Sequence, residues 1–304
     1  MKNKKIYFSL VMALVLVLGL VGCSTGGDDN GAVEGEYKIG LVVSTLNNPF
    51  FVDLRDGAQA KADELGASLI VLDSQDDAAS ELSNVEDLIT QGVDLIMINP
   101  TDSDAVGSAV LAANEAGIPV VTLDRSANSG EVVAHIASDN VAGGVMAGEF
   151  IVEQLGGSGS VVELEGIPGA SAARERGEGF NKAIEGSDIK VVAKQTANFD
   201  RAEGLSVMED ILQSQAEIDA VFAHNDEMAL GALEAVKSSG RDIIIVGFDA
   251  TDDAVAAVEA GDLAATVQQL PKDIGAIGVD TAVKVLSGES VEASIPVDLQ
   301  LVTK

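Results

Sequence analysis

Hydrophobic and polar positions follow two alternating patterns from residue 37 to the C-terminus. Short apolar runs of strand length, such as Lys38–Ser44 and Ser68–Asp73, precede segments of roughly 12 to 18 residues in which apolar side chains recur at helical spacing, such as Phe51–Leu65. Several of these segments end at a glycine, as at Gly66, which is typical of a helix C-terminus. Strands that alternate with helices form parallel sheets covered by helices, so the pattern predicts an α/β fold.

The same two patterns predict the other elements of the chain. Further strands are predicted at Asp94–Asn99, Pro119–Asp124, Val132–Ala137, Ser160–Glu165, Lys190–Gln195, Asp219–Ala223, Asp242–Asp249 and Leu263–Gln268. Further helices are predicted at Ala79–Gln91, Asp102–Ala116, Val141–Leu155, Ala172–Ile184, Arg201–Gln213, Glu227–Ser238 and Ile274–Leu286. The alternation of strands and helices is interrupted once, because no helix separates Val132–Ala137 from the preceding strand, Pro119–Asp124. Since the chain is also long for one sheet, this break predicts a crossover between two lobes.

The N-terminus carries the features of an export signal. Three lysines among the first five residues precede the almost wholly apolar stretch Ile6–Val21, which is typical of a secretory signal. Cys23 directly follows Leu-x-Gly, the pattern of bacterial lipoprotein signals, in which the thiol is diacylated. The alternative is an uncleaved membrane anchor, although about 16 apolar residues are fewer than the roughly 20 that a spanning helix needs. We therefore expect a signal peptide over residues 1–22 and a lipid on Cys23.

The expected lipid has consequences for location. Two acyl chains hold a protein stably on a membrane, so we expect the exported chain on the outer face of the cell membrane. Residues 23–36 are rich in glycine and aspartate and show no apolar period, which is typical of a flexible tether.

Charge and cysteine usage narrow the function classes. The chain has 49 acidic and 18 basic residues, for a net charge of −31, and such a surface repels nucleic acid. Cys23 is the only cysteine, and the two histidines, His135 and His224, stand at no metal-binding spacing. We therefore expect no disulfide within the chain, no metal, no cofactor and no nucleic-acid partner. The acidity fits simple solubility as well as a saline or alkaline habitat.

Polar and aromatic side chains follow the predicted strands, at the sheet edge where open α/β sheets bind ligands. Carboxylates accept hydrogen bonds from sugar hydroxyls, guanidinium groups donate to them, amides do both, and aromatic rings pack on the C–H faces of a sugar. Each group also has an ordinary explanation. Asp124-Arg125 fits a surface ion pair, Phe248 a core residue, Arg174 and Arg176 a solvated helix face, and Asn47-Asn48-Pro49 a turn that starts a helix. The aspartates best explained as helix N-caps are Asp139, Asp200 and Asp226.

Eight motifs together resemble one known family. In chain order they are VVSTLNNPFF, INPTDSDAV, TLDR, HIASDN, SAARERGEGF, NDEMALGAL, VGFD and QLP. They are similar, in the same order, to motifs of the D-ribose-binding proteins of ABC sugar importers, and the similarity extends from about Tyr37 to the C-terminus. The resemblance implies a periplasmic-binding-protein-like fold of type I, with two Rossmann-like lobes of parallel sheets joined by a three-segment hinge.

The resemblance also implies where the lobes and the ligand contacts lie. The chain would cross between lobes near Ser138-Asp139, Gln269-Leu270 and Pro296–Asp298. One lobe would comprise residues 37–138 and 270–297, and the other residues 139–269 and 298–304. Matched one by one to the family's motifs, the implied ligand-binding residues are Asn48, Phe50, Phe51, Asp124, Arg125, Arg176, Phe199, Asn225, Phe248, Asp249 and Gln269.

The function implied by this resemblance is non-covalent capture of D-ribose by a monomer that delivers the sugar to ABC permease subunits in the membrane. Another monosaccharide, such as allose or galactose, or a furanose signal molecule stays open as the ligand. An enzyme is disfavoured because the chain lacks the P-loop, GxGxxG and GxSxG motifs. A sugar-responsive transcription regulator is disfavoured because such proteins need a basic DNA-reading domain, and this chain has an export signal at that place.

Overall fold

The computed structural model describes residues 37–304. The predicted signal peptide, the predicted tether and Cys23, the predicted lipidation site, lie outside the described residues. From Tyr37 onwards, no helix is both long and apolar enough to cross a membrane.

Helices and strands alternate along nearly the whole described chain. The first half contains β1 (Lys38–Val43), α1 (Pro49–Leu65), β2 (Ser68–Asp73), α2 (Ala78–Gln91), β3 (Leu95–Ile98), α3 (Gly107–Glu115), β4 (Val120–Leu123), β5 (Ala134–Ser138), α4 (Asn140–Gln154) and β6 (Ser158–Glu165). The second half contains α5 (Ser171–Ile184), β7 (Asp188–Thr196), α6 (Arg201–Ser214), β8 (Ala220–Ala223), α7 (Asp226–Ser239), β9 (Ile244–Asp249), α8 (Asp252–Ala260), β10 (Ala265–Gln268), α9 (Pro271–Leu286), β11 (Ser294–Val297) and β12 (Gln300–Thr303).

The strands form two six-stranded sheets, one in each lobe. The first has the order β11-β5-β4-β3-β1-β2 and is entirely parallel, and the second has the order β12-β10-β9-β8-β6-β7, with only β12 antiparallel to its neighbour. The chain passes between the sheets three times, after β5, β10 and β11. The predicted class, two α/β lobes with parallel sheets, is confirmed.

Helices cover both faces of each sheet, so each lobe has an apolar layer on either side of its strands. In the first lobe α1 packs with α9 on one face and α2 packs with α3 on the other. In the second lobe α4 packs with α5 on one face, and α6, α7 and α8 cover the other. Strands buried on both faces are apolar throughout, as in the Leu-Ile-Met-Ile of β3, which explains the continuous apolar runs in the sequence.

Four elements differ from the sequence prediction. Helix α8 was not predicted, because it has only nine residues and buries only Ala254 and Val258, which is too few for a helical period. Strands β11 and β12 were not predicted either, since each has four residues that are mostly exposed or half-buried. Helix α3 begins at Gly107 rather than Asp102, because the Asp102 carboxylate accepts hydrogen bonds from the next turn's backbone N–H groups at Asp104 and Ala105.

Glycines allow α4 and α5 to approach each other closely. A Cβ atom at Gly144 of α4 would lie 2.2 Å from the carbonyl oxygen of Arg176 in α5, and one at Gly179 of α5 would lie 2.1 Å from the carbonyl oxygen of Val141 in α4. Both distances are shorter than two atoms can tolerate. The missing side chains therefore determine how far α5, which carries Arg176, lies from the rest of its lobe.

Candidate ligand-binding site

The carboxyl ends of the strands of both sheets surround one small pocket lined by buried side chains. Ten of the eleven residues predicted from the sequence line it, and Phe248 is the one that does not. The Phe248 ring instead lies 3.9 Å from the guanidinium carbon of Arg176 and packs in the core behind it. Ala172 lines the cavity as well and was missed, because a small apolar side chain on a helix carries no chemical signal.

The first lobe contributes the start of α1 to the cavity. Asn48 caps this helix, since its side-chain oxygen accepts a hydrogen bond from the backbone N–H of Phe50 at 3.0 Å. The next residues, Phe50 and Phe51, are almost fully buried, with their rings 5.1 Å apart at an angle of 89°. The helix-start explanation of the Asn47-Asn48-Pro49 segment is therefore correct, and the same turn brings Asn48 and both rings to the cavity.

Asp124 and Arg125 follow β4 and are only 3% exposed, so the surface ion pair considered from the sequence is wrong. Arg125 Nε lies 3.7 Å from Asp124 Oδ2, and the guanidinium group lies 5.1 Å from the centre of the Phe51 ring and 5.2 Å from that of Phe199. Arg125 Nη1 donates to the carbonyl oxygen of Pro100 at 3.1 Å. The cation therefore lies between aromatic rings from both lobes.

Arg176 is the corresponding cation of the second lobe and projects from the first turns of α5. Its Nε donates to Asn140 Oδ1 at 2.8 Å, and its Nη1 donates to the carbonyl oxygen of His224 at 2.6 Å. Asp249 Oδ1 lies 3.7 Å from the same Nη1. Arg174, two residues earlier, is exposed, so the solvated-face explanation holds for Arg174 and fails for Arg176.

Asn225 and Gln269 complete the polar wall. Asn225 caps α7 by accepting from the backbone N–H of Met228 at 3.0 Å, and its Nδ2 donates to the carbonyl oxygen of Phe199. Gln269 Nε2 donates to Asp249 Oδ1 at 2.8 Å. Asparagines at two helix starts and a glutamine at a crossing segment are thus held in place by backbone and side-chain partners within the protein.

Several site residues adopt a backbone conformation that favours glycine. Asp124, Phe199 and Asp249 have φ angles of +60°, +61° and +122°. Side chains in such conformations cost of order 1–3 kcal/mol each and cluster at functional sites. These backbone conformations direct the three side chains, which lie at or just after the ends of strands, towards the pocket.

Burial controls the charges of the site. Burial raises the pKa of Asp249 well above its usual range, and the Arg176 charge opposes that rise. Burial lowers the pKa of Arg125, and Asp124 opposes the fall. Within the described part of the chain, Asp124 Oδ1, Arg125 Nε and Gln269 Oε1 are buried without a hydrogen-bond partner. Buried polar atoms are normally satisfied, so this set is suited to a ligand rich in hydroxyl groups.

The lobes also contact each other directly beside the cavity. The backbone N–H of Ser103 donates to the carbonyl oxygen of Gly169 at 3.0 Å, and the backbone N–H of Ser126 donates to Ser171 Oγ at 3.0 Å. A Cβ atom at Gly169 would lie 1.6 Å from Asp102 Oδ2, so a larger residue there would displace the Asp102 carboxylate. Described residues 37–304 contain no group of three or more side chains able to hold a metal ion.

Two of the three predicted N-caps are confirmed and one is wrong. Asp139 caps α4 and Asp200 caps α6. Asp226 is not a cap, because Asn225 takes that position in α7. The carboxylate of Asp226 is instead fully buried, where it accepts hydrogen bonds from Thr251 and from the Thr266 hydroxyl, and burial raises its pKa from 3.8 to about 7.

Because the folded protein raises the pKa of Asp226, this group favours folding most below pH 3.8, and the contribution is lost as the pH rises through about 7. An Asp226→Asn variant stays neutral at every pH. The free energy of unfolding of this variant should therefore increase relative to that of wild type by about 2–4 kcal/mol between pH 5 and pH 8, so the variant gains stability relative to wild type. Urea denaturation at both pH values measures this change. Asp87→Asn, an exposed position on α2, is the control, and an equal Asp226→Asn difference at both pH values would contradict the account.

Comparison with known proteins places this chain in a family. The sequence profile described as "Periplasmic binding protein domain" matches residues 39–290. The chain is 59% identical over 275 residues to the ribose import binding protein of Haemophilus influenzae, covering 90% of this chain and 94% of that protein. It is 50% identical over 301 residues to the ribose import binding protein of Bacillus subtilis, covering 97% and 98%. The resemblance drawn from the eight motifs is confirmed.

Solved structures agree with the sequence matches. An ABC transporter periplasmic solute-binding protein from Actinobacillus succinogenes, solved with bound D-allose, superposes with a TM-score of 0.84 at 33% identity, covering 88% of this chain and 98% of that one. The matched region includes both lobes and the strand ends that surround the cavity. The chain therefore belongs to the family of periplasmic binding proteins that serve as solute receptors of ABC transporters.

Proposed function

We propose that this protein is the exported, lipid-anchored receptor of an ABC sugar importer and that it binds D-ribose between its lobes. The observation that carries the proposal is the convergence of four buried charged side chains from two lobes on one pocket, where Asp124 Oδ1, Arg125 Nε and Gln269 Oε1 are buried without a hydrogen-bond partner. Relatives that are 59% and 50% identical over nearly their full length are ribose import binding proteins, which supports the choice of sugar.

The cavity offers each kind of contact that a sugar requires. Asp124 and Asp249 accept hydrogen bonds from hydroxyl groups, and Arg125 and Arg176 donate to hydroxyl oxygens, in charge-assisted bonds stronger than neutral ones. Asn48, Asn225 and Gln269 both donate and accept. The rings of Phe50, Phe51 and Phe199 border the same space and pack against the C–H faces of the sugar, while Phe248 supports Arg176 from behind.

Lobe closure follows from the distribution of these groups. Asn48, Asp124 and Arg125 belong to the first lobe, and Arg176, Asn225 and Asp249 to the second. A sugar that bonds to both sets binds the closed form more tightly than the open form and so shifts the equilibrium towards closure. In this proposal the lobes comprise residues 37–138 with 270–297 and residues 139–269 with 298–304, and the ABC permease recognises the closed monomer.

D-Allose is a second candidate ligand, because the Actinobacillus succinogenes structure holds it in the same fold. A site built around hydroxyl groups discriminates strongly against sugars that leave its own groups unpaired. Neither sugar requires a chemical step, and the protein is proposed to act without catalysis, as expected of a receptor family.

Titration calorimetry of the purified protein against ribose, allose, galactose and xylose tests the ligand. We expect ribose to give the tightest binding. In an Asp124→Ala variant the affinity for ribose should fall by about 100-fold, since a charge-assisted hydrogen bond is lost and Arg125 keeps an uncompensated buried charge. The exposed Asp87→Asn variant is the control and should match wild type. Heat with another sugar but none with ribose would overturn the choice of ribose, and unchanged affinity in Asp124→Ala would overturn the site.

The anchor is proposed from Leu20–Cys23, and its attachment to the membrane is tested separately. Cells grown with labelled palmitate should incorporate the label into the wild-type protein and not into a Cys23→Ser variant, and the variant should leave the membrane fraction. Equal labelling of the two proteins would contradict the lipid anchor without affecting the ribose proposal.

A further inference from the structure

Glu81 is a fully buried carboxylate that the proposed sugar contacts do not use. It lies on α2, and its Oε2 accepts a hydrogen bond from the backbone N–H of Thr101 at 2.7 Å. Its Oε1 has no hydrogen-bond partner among residues 37–304. Burying a carboxylate with one hydrogen bond is costly, and an apolar side chain of similar size would fill the same place at lower cost. The position therefore calls for a role other than packing.

The segment that Glu81 holds is hydrogen-bonded to both charged side chains that the first lobe contributes to the site. Asn99 Nδ2 donates to Asp124 Oδ2 and to the carbonyl oxygen of Leu123, each at 3.2 Å. The carbonyl oxygen of the next residue, Pro100, accepts from Arg125 at 3.1 Å. The N–H of Thr101 then donates to Glu81. Three consecutive residues thus connect the Glu81 carboxylate to the two side chains proposed to bind sugar.

Charge reinforces this geometric connection. The charged groups that face Glu81 are Arg125, after β4, and Asp102, after β3; the first lowers the pKa of Glu81 and the second raises it. Burial outweighs both and raises the pKa to about 7. The influence is mutual, because Glu81 is also among the anions that oppose the fall in the pKa of Arg125. The charge of Glu81 therefore changes near neutral pH, at a place where Arg125 is affected by it.

We propose that Glu81 is a positioning residue for Arg125 and Asp124, and that its ionised form tightens sugar binding by holding the 99–101 segment and offsetting the Arg125 charge. This inference rests on the proposed function, since it concerns the affinity of the same site. Neutral Glu81 accepts the Thr101 hydrogen bond more weakly and leaves Arg125 with less compensation. The sugar-bound form should therefore favour the ionised carboxylate and lower its pKa.

The test is titration calorimetry with D-ribose from pH 5.5 to pH 8.5 on wild type, Glu81→Gln and Glu86→Gln, the last being exposed on the same helix. A fall of about one unit in the pKa of Glu81 on binding makes the ribose affinity of wild type rise about 10-fold between these limits, beyond any change shared with Glu81→Gln. Glu81→Gln should lack that rise and keep the weaker affinity, and Glu86→Gln should follow wild type. Parallel profiles for wild type and Glu81→Gln would overturn the proposal.

A second measurement covers the case in which Glu81→Gln does not fold or ribose gives no heat. The Nε resonance of Arg125 in the wild-type protein, labelled with ¹⁵N-arginine and assigned by its loss in Arg125→Lys, should shift with a midpoint near pH 7. A resonance that stays constant through this range would overturn the positioning role. Absence of ribose heat at every pH would instead refute the proposed ligand, so the two failures are distinguishable.

Discussion

Two buried arginines, one from each lobe, are the constraint on which the rest of this structure depends. Arg125 and Arg176 are each 3% exposed, and their like charges oppose each other across the cavity. A charge removed from water destabilises a protein unless partners compensate it. Asp124 and Asp249 supply opposite charge at 3.7 Å, and the rings of Phe51, Phe199 and Phe248 supply aromatic faces.

This compensation determines the local backbone. Asp124 directly follows β4, Asp249 ends β9, and both have positive φ angles. The fold therefore places strained residues where carboxylates compensate the arginine charges. Asn48 and Asn225 cap α1 and α7 and line the cavity from the same positions, which joins helix initiation to the proposed recognition of sugar. On the far side of α5, Gly144 and Gly179 allow the helix that carries Arg176 to approach α4. The site is thus built mainly from element ends, which rigid sheets hold in place.

Much of the fold was predictable from the sequence because the central strands, such as β3, β4 and β8, are buried on both faces and each long helix has a clear apolar period. Helix α8 and strands β11 and β12 were not predictable, since short and largely exposed elements leave little pattern. The residues around the cavity were identified only when family motifs were added to the strand-end argument, because alone each had an ordinary explanation. Phe248 shows the limit of transferring ligand contacts from family motifs, because its ring packs against Arg176 from the core and does not line the pocket.

Residues that act through others left no signal in the sequence. Asn99 directly follows β3, and Glu81 lies on α2. Only in the folded chain does Asn99 contact Asp124 and does Glu81 hold the segment that contacts Arg125. Asp226 was interpreted as a helix cap because the predicted helix began one residue later, at Glu227, whereas α7 begins at Asp226 and Asn225 caps it. The choice between them depends on Thr251 and Thr266, which are distant in sequence and bond the Asp226 carboxylate in the folded lobe.

The central claim is that charges from both lobes converge on one sugar, and a crystal structure of the protein with D-ribose tests it most directly. The account predicts one ribose in the cavity beside Phe51 and Phe199, with hydroxyl groups at about 2.7–3.2 Å from Asp124 and Arg125 of one lobe and from Arg176 and Asp249 of the other. A ribose that contacts only one lobe, or that binds away from this pocket, would contradict it.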